Sequence, residues 1–349
     1  MKKIICFLLS CIFVFSFAAC GNNGTAAAPE TTQATAAPET NTMRYYFMTS
    51  DGASVGYEKY TTRWGDSCLI IFPDGKNMLI DTGIQDFYPI LKESLEELGV
   101  STIHYMVFSH PHNDHAGGAW RDLFKDFTIE QVYHNGAKNL GWSDGKHIQQ
   151  LCEQYKVPCT AWSAGDTMDF GDVHMQVLWP TKEAIEQLQP IDTDPAINSL
   201  SLVMRFDYGE HSSLFTGDIY QNRNASNMEI QVEGYDGTEE ILVSGWQKEY
   251  LDVDLIKLPH HGNPLTSCST KFLKAVSPKY AVATSFEPVE PYFSYYKTRS
   301  LTCPVYFDRM YGNITVEATA DGKMTVTTSR TEYLKDFGKD WNESEKIKK

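Results

Sequence analysis

Six consecutive residues, His110-Pro111-His112-Asn113-Asp114-His115, carry four side chains of the kinds that bind zinc-like ions. They follow the apolar run Tyr105-Met106-Val107-Phe108, which reads as a buried strand, and they precede Gly117-Gly118. Neither packing nor solubility calls for such a set at the mouth of one strand, whereas a loop there lets ring nitrogens and carboxylate oxygens converge on metal ions. Three further sites share the form. Asp81 closes Leu79-Ile80-Asp81-Thr82-Gly83, Asp218 closes Leu214-Phe215-Thr216-Gly217-Asp218, and His260-His261 close Leu255-Ile256-Lys257-Leu258-Pro259 ahead of Gly262. Strand ends along one edge of a sheet pair can gather all of these into one site, and the glycines let backbone pass close to a ligand. Two divalent ions about 4 Å apart activate water and clamp attacking and leaving oxygens, and a carboxylate such as Asp218 can bridge them.

The elements that must position these groups are legible as short runs. Cys68–Phe72 and Asn77–Asp81 flank Pro73-Asp74-Gly75, a hairpin turn signal. Pro89–Gly99 predicts a helix, with Ile90, Leu91, Leu95 and Leu98 apolar and Gly99 as its stop. After the strand before His110, helices are expected near Trp120–Phe127 and Lys146–Tyr155, with a strand at Gln131–Tyr133 between them. Val173–Trp179 predicts a strand and Lys182–Leu188 a short helix. Ser199–Phe206 and Ser213–Phe215 predict a second hairpin around Asp207-Tyr208-Gly209. Leu251–Leu258 leads to the second histidine pair, and late strands fall at Tyr280–Ala283, Val305–Phe307, Ile314–Glu317 and Met324–Thr327. Hairpin strands first, then strands mixed with helices, twice over, predict an α/β (α+β) chain with two layers of sheet and helices outside them.

The chain of 349 residues is long enough for one large domain or two small ones, and 42% hydrophobic content allows a sizeable core. A formal charge of -15 argues against a sequence-independent nucleic-acid binder, because polyanions are met by basic surfaces. It leaves a phosphodiester open as substrate, since bound cations invert the local field. Residues 1–19 have the layout of a signal peptide: Lys2 and Lys3, an apolar stretch from Ile4 to Phe17, then Ala18-Ala19. Cys20 after Phe17-Ala18-Ala19 resembles the lipobox of bacterial lipoproteins, which implies a lipidated N-terminus and an extracytoplasmic place on the cell membrane, or a secreted protein if Cys20 stays bare. Residues 20–42, with Ala-Ala-Pro-Glu-Thr twice, read as a flexible tether. Residues 331–349 form a charged, peripheral tail. Cys68, Cys152, Cys159, Cys268 and Cys303 are too few and too scattered for a disulfide framework; Cys152 and Cys159 could pair across a helix end, but five buried or semi-buried thiols are expected. The aromatic run Pro291-Tyr292-Phe293-Ser294-Tyr295-Tyr296 reads as packing, with a groove for a base, sugar or choline head as the alternative.

Taken in order, Asp81-Thr82-Gly83, His110-x-His112-x-Asp114-His115, Thr216-Gly217-Asp218 and His260-His261-Gly262 resemble the metallo-β-lactamase superfamily. Gly65-Asp66-Ser67, Asn198-Ser199-Leu200-Ser201-Leu202-Val203 and Lys257-Leu258-Pro259-His260-His261-Gly262 point to the branch resembling the external hydrolase domain of the competence DNA-uptake protein ComEC, and phosphorylcholine esterases share part of the pattern. The resemblance covers residues 43–330 and implies an αββα four-layer sandwich with a two-metal site between the sheets. It implies His110 and His112 on a first ion, Asp114, His115 and His261 on a second, and Asp218 bridging. Asp81 would orient a ligand, and Asp114, His260 and Asp81 would carry the catalytic roles, His260 as substrate contact or proton donor. The ions implied are zinc, with manganese or iron able to fill the same shell. Asn198 stands where most of the superfamily has a histidine for the first ion; His134 and His174 are the other candidates, each read first as structural or surface histidines. Asn198, Lys257 and His260 are the expected substrate contacts. For Lys257, neutralising a phosphate oxygen and facing solvent from a strand weigh about equally. The function implied is a membrane-tethered, metal-dependent hydrolase acting on small or surface-attached phosphoesters, phosphodiesters favoured and long nucleic acid not favoured. The alternatives are a non-catalytic binding lipoprotein of the same fold and a hydrolase of lactams, lactones or thioesters.

Overall fold

Pro73-Asp74-Gly75 turns the chain as its composition predicts. Gly75 takes φ +83, Phe72 donates its amide to the Lys76 carbonyl at 2.9 Å, and β2 (Cys68–Ile71) pairs antiparallel with β3 (Asn77–Ile80). The structure, a computed structural model, describes residues 41–49, 65–137, 143–191, 193–224, 230, 232–284, 301 and 303–330. The expected signal segment 1–19, Cys20, the expected tether as far as residue 40, the aromatic run 291–296 and residues 331–349 lie outside these residues.

Two sheets organise the rest. The first adds β1 (Thr42–Phe47), β5 (Tyr105–Phe108), β7 (Val132–His134), β8 (Cys159–Ala161), β16 (Ile314–Thr319) and β17 (Met324–Thr328), in the order β17-β16-β1-β2-β3-β5-β7-β8. The second comprises β9 (Thr167–Phe170), β10 (Val173–Trp179), β11 (Val203–Tyr208), β12 (His211–Phe215), β13 (Leu255–Lys257), β14 (Tyr280–Ala283) and β15 (Val305–Phe307), in the order β15-β14-β13-β12-β11-β10-β9. A two-strand pair, β4 (Thr102–Ile103) and β6 (Thr128–Ile129), lies apart from both.

Alternation along the strands builds the layers. Cys68, Ile70, Met78, Ile80 and Val107 join the apolar layer shared with the second sheet, while their neighbours Leu69, Leu79, Met106 and Phe108 join a second cluster. That second cluster takes Ile90, Leu91 and Leu95 of helix α1 (Tyr88–Glu97), whose first turn carries Pro89 and which stops at Gly99 with φ +73. Between the sheets, Phe72 stacks on Phe170 with centroids 4.4 Å apart, and Phe47 on Phe215 at 5.9 Å. On the far side, Leu242 and Val243 of a helix at Thr238–Ser244 and Phe272, Leu273 and Val276 of one at Thr270–Val276 bury with β13 and β14. The result is helix, sheet, sheet, helix.

Several local expectations needed correction. Trp120–Phe127 is not one helix: a 3-10 turn over Gly117–Trp120 and a short helix at Leu123–Asp126 are separated where Arg121 takes ψ −104, outside the helical range. Ser199 does not begin a strand; it ends a helix at Asp194–Ser199 that starts on Asp194-Pro195, and β11 begins only at Val203. The strand β1 at the start of the folded region, whose Met43, Tyr45 and Phe47 all point into the core, was not anticipated. Among the described residues, Cys68, Cys152, Cys268 and Cys303 are buried, Cys159 is half-buried, and no two are joined in a disulfide.

Candidate metal centre

Parallel strands bring their C-terminal ends to a common edge: β3 and β5 in the first sheet, β12, β13 and β14 in the second. The residues that follow these ends are Asp81, the His110–His115 segment, Asp218, His260-His261 and Thr284, and Asp66 lies just ahead of β2. Ligand sites form at such carboxyl ends because loops there are free to aim side chains into the gap.

Each loop is bent for the purpose. Asp81 takes φ +60 and turns its carboxylate to Ser109, accepting from the amide at 2.7 Å and from Oγ at 2.6 Å. A single helical turn, Asn113–Ala116, starts on the His112 carbonyl, which accepts the His115 and Ala116 amides at 3.0 and 2.8 Å, and sets Asp114 and His115 on successive positions. Gly217 sits at φ +49, where a Cβ would lie 2.5 Å from that of Ser201, so the Thr-Gly-Asp turn requires glycine. The Asp218 amide donates to Ser201 Oγ at 2.9 Å. His260 and His261 both hold left-handed backbone, φ +49 and +58, and the His260 amide donates to the Gly217 carbonyl at 3.0 Å. Left-handed backbone at three non-glycine site residues is strain that the surrounding hydrogen bonds maintain.

The inward-facing atoms fall into two groups. His110 Nε2 faces His112 Nδ1 at 3.1 Å. His115 Nε2 and His261 Nε2 each lie 3.2 Å from the same Asp218 Oδ2, and His261 Nε2 lies 3.1 Å from Asp114 Oδ2. Behind every histidine stands an oxygen. Asp81 Oδ2 meets His115 Nδ1 at 2.7 Å, Asp66 Oδ1 meets His261 Nδ1 at 3.2 Å, Asp194 Oδ1 is 3.8 Å from His112 Nε2, and Ser109 Oγ is 3.1 Å from His110 Nδ1. Carboxylates in that position fix the tautomer and raise the basicity of a ligating imidazole.

The buried acids and bases shift one another. Burial alone would raise the Asp218 carboxyl, yet His115, His261 and Lys257 hold it well below the usual carboxylate range. Against the same burial, Asp218 foremost lifts His115 and His261 well above an ordinary imidazole. His110, with burial and then His115 acting on it, is pushed well down and stays neutral. Among the described residues, Asp66, His115, Asp218 and His261 each place a possible ligand atom within 4.8 Å of the others. A further oxygen is free to join: Asn198 is 3% exposed, its Oδ1 is buried without a hydrogen-bond partner, and its Nδ2 donates to Tyr220 Oη at 3.4 Å. Facing lone pairs, clustered carboxylates and an orphaned amide oxygen together fit divalent ions.

The structure therefore brings together Asp81, His110, His112, Asp114, His115, Asn198, Asp218, His260 and His261. A cleft of about 310 Å³ opens onto them, with His112, Asp114, Asn198, Asp218, Tyr220 and His260 among its walls. His260 stacks on Tyr220, centroids 5.0 Å apart, and its Nδ1 lies 2.6 Å from Thr266 Oγ1. Burial, only partly opposed by Asp218, pushes the His260 ring down to about 4, which favours the neutral imidazole near pH 7. Lys257 does not face solvent from its strand. It is 4% exposed, it pairs with Asp66, it donates to the Gly217 carbonyl at 3.1 Å and it lies 3.5 Å from Asp218 Oδ1, behind the ligands and away from the cleft walls. His134 and His174 lie elsewhere: His134 Nδ1 accepts the Gly136 amide at 3.0 Å, and His174 is an exposed partner of Asp169 at 2.7 Å. Sequence reasoning missed Asp66, Asp194, Tyr220 and Thr284 as site residues. The signal for Asp66 was present in Gly65-Asp66-Ser67, and that for Tyr220 in its place two residues after Asp218.

The model of the family described as Metallo-beta-lactamase superfamily matches residues 61–283. Recombination protein 2 of Haemophilus influenzae is 27% identical over 225 residues, 62% of this chain and 22% of that protein. Uncharacterized protein YcaI of Escherichia coli is 24% identical over 224 residues, 62% of this chain and 23% of that one. The chain thus matches less than a quarter of the length of either relative. Among solved structures, the metallo-beta-lactamase fold protein YhfI from Bacillus subtilis aligns over 82% of this chain and 99% of its own at 14% identity, with a TM-score of 0.47. A diphosphatase from the PhnP family covers the same shares at 15% identity and a TM-score of 0.44.

Proposed function

The chain belongs to the metallo-beta-lactamase superfamily, and from that premise and the geometry of its site we propose that it is a metal-dependent hydrolase of phosphoesters, with phosphodiesters preferred. The observation that carries the reading is Asp218, one carboxylate oxygen of which lies 3.2 Å from both His115 Nε2 and His261 Nε2 while the other lies 3.5 Å from the Lys257 ammonium. A carboxylate so placed suits two neighbouring ions of equal character, the arrangement that clamps both oxygens of an in-line displacement.

His110 and His112 would hold one ion, with Asn198 Oδ1 available to it. Asp114, His115 and His261 would hold the other, with Asp218 shared. Such ions supply Lewis-acid activation of water and of the scissile group. The chain's own residues do the rest. Asp81 and Asp66 hold the His115 and His261 rings in place. Tyr220, stacked on His260 and accepting from the Asn198 amide, fixes one wall of the cleft. His260 Nε2, 3.9 Å from Asp218, is positioned to hydrogen-bond an oxygen of the bound ester. The proposed location is outside the cell membrane, tethered through a lipid on Cys20, which rests on the sequence of residues 1–42.

The test is metal content together with turnover of bis-p-nitrophenyl phosphate, p-nitrophenylphosphorylcholine and nitrocefin, before and after chelation. Two ions per chain and chelator-sensitive cleavage of the phosphodiesters are expected. Cleavage of nitrocefin alone would overturn the phosphoester reading, and no turnover with full metal occupancy would make this a binding protein. His112→Ala is expected to abolish hydrolysis while leaving the circular dichroism spectrum unchanged.

A further inference from the structure

A buried ion pair joins the two sheets directly behind the centre. Asp66, just ahead of β2 in the first sheet, is 4% exposed, and Lys257, the last residue of β13 in the second, is likewise 4% exposed. The Lys257 ammonium pairs with Asp66 Oδ2, and the Thr284 hydroxyl beyond β14 donates to Asp66 Oδ1. The Asp66 main chain is pinned as well: its amide donates to the Asp114 carbonyl at 3.0 Å, and its carbonyl accepts from the Gly83 amide at 2.8 Å. From this anchorage Asp66 Oδ1 reaches His261 Nδ1 at 3.2 Å, while Lys257 reaches the Gly217 carbonyl at 3.1 Å and Asp218 Oδ1 at 3.5 Å. Both oxygens of Asp66 are thus committed, and its partner histidine presents the opposite nitrogen to Asp114 and Asp218.

Two buried charges are costly in a protein interior unless their remaining hydrogen-bonding sites are met, and a hydrophobic pair of similar volume often serves stability as well or better. Here each charge also touches a ligand residue on the far side of the pair. We propose that Asp66 and Lys257 are positioning residues that set the His261 ring and the Asp218 carboxylate for the ion held by His115 and His261, with Thr284 orienting Asp66. The pair stands to His261 as Asp81 and Ser109 stand to His115. This rests on the metal-centre reading above, and it adds Lys257 and Thr284, which lie outside the possible ligand set and outside the cleft.

The experiment is a titration of the full chain with Zn2+ against a chromophoric chelator, repeated on Asp66→Asn, Lys257→Met, the double variant and Thr284→Val, with the visible spectrum of the Co2+-loaded protein and the melting curve of the metal-free protein for each. Loss of a partner behind a ligating histidine weakens metal binding by roughly 10–100-fold. The expected result is that one of two ions weakens to that extent in Asp66→Asn and less in Thr284→Val, and that the Co2+ spectrum shifts. The two charge variants should be non-additive in the double variant. Should Asp66→Asn fail to fold, Thr284→Val, which removes one hydroxyl, carries the test. Wild-type affinity for both ions with an unchanged Co2+ spectrum, even where melting falls, would reduce the pair to a structural bolt and overturn the proposal. An unaltered chain that binds no divalent ion would instead overturn the metal-centre reading, and the pair's role with it.

Discussion

Asp81 accepts from the Ser109 amide, the Ser109 hydroxyl and the His115 ring at once, all within 2.7 Å. Asp81→Ala leaves His115 free to turn away from Asp218, and metal affinity measured by chelator competition should fall about 10–100-fold with the fold retained. A second residue has its effect far from the centre. His211 on β12 is buried, with Nε2 2.8 Å from Tyr45 Oη, and Tyr45 donates in turn to Ser213 Oγ at 2.9 Å. Burial, with Asp254 opposing it, pushes the His211 ring down to about 4. In the unfolded chain the ring titrates near 6.5, so as pH falls through 6.5 the unfolded state gains a proton that the folded state refuses, and the loss of stability levels off only below about 4. Between pH 7 and 5 this amounts to about 2 kcal/mol. His211→Gln should lose correspondingly less stability over that interval in paired urea melts.

At the scale of elements, the segment carrying His260 and His261 is held by a carboxylate from a neighbouring helix. Glu239, buried in the Thr238–Ser244 helix, accepts the amides of Cys268 and Ser269 at 2.6 and 2.8 Å, where the Thr270–Val276 helix begins. Ser269 then caps that helix by accepting the Phe272 amide at 3.2 Å. Upstream, Ser267 Oγ donates to the Ile219 carbonyl at 2.7 Å and the Gln221 amide to the Thr266 carbonyl at 2.8 Å, so the loop is tied to the turn after Asp218. Charge-assisted hydrogen bonds to buried amides are worth more than neutral ones, and Glu239→Ala should cost about 2–3 kcal/mol in a denaturant melt and lower turnover as well. Glu239→Gln, which keeps one acceptor oxygen, should recover part of both.

For the whole molecule, ions that bind the folded chain and not the unfolded one raise its stability by mass action, about 2.7 kcal/mol at a hundred times the dissociation constant. Because the candidate ligands come from both sheets, added Zn2+ or Mn2+ should raise the melting midpoint in one cooperative transition, and chelation should lower it; a midpoint insensitive to both would argue against an ion between the sheets. Much of this molecule is written in short stretches of sequence. His110, His112, Asp114, His115, Asp218 and His261 could be singled out as candidates because residue type and strand-end position are local properties. The turn at Pro73-Asp74-Gly75, the alternation in β2 and β3 and the stop at Gly99 are local for the same reason. Strand β1 was less legible because its alternation, Met43, Tyr45 and Phe47, directly follows a low-complexity stretch. Lys257 shows what only the tertiary structure decided: nothing near it in sequence foretells Asp66, which reaches it from the other sheet. Burial and partnership belong to pairs of distant segments, so the Lys257 charge ends buried between Asp66 and Asp218 and not on the surface.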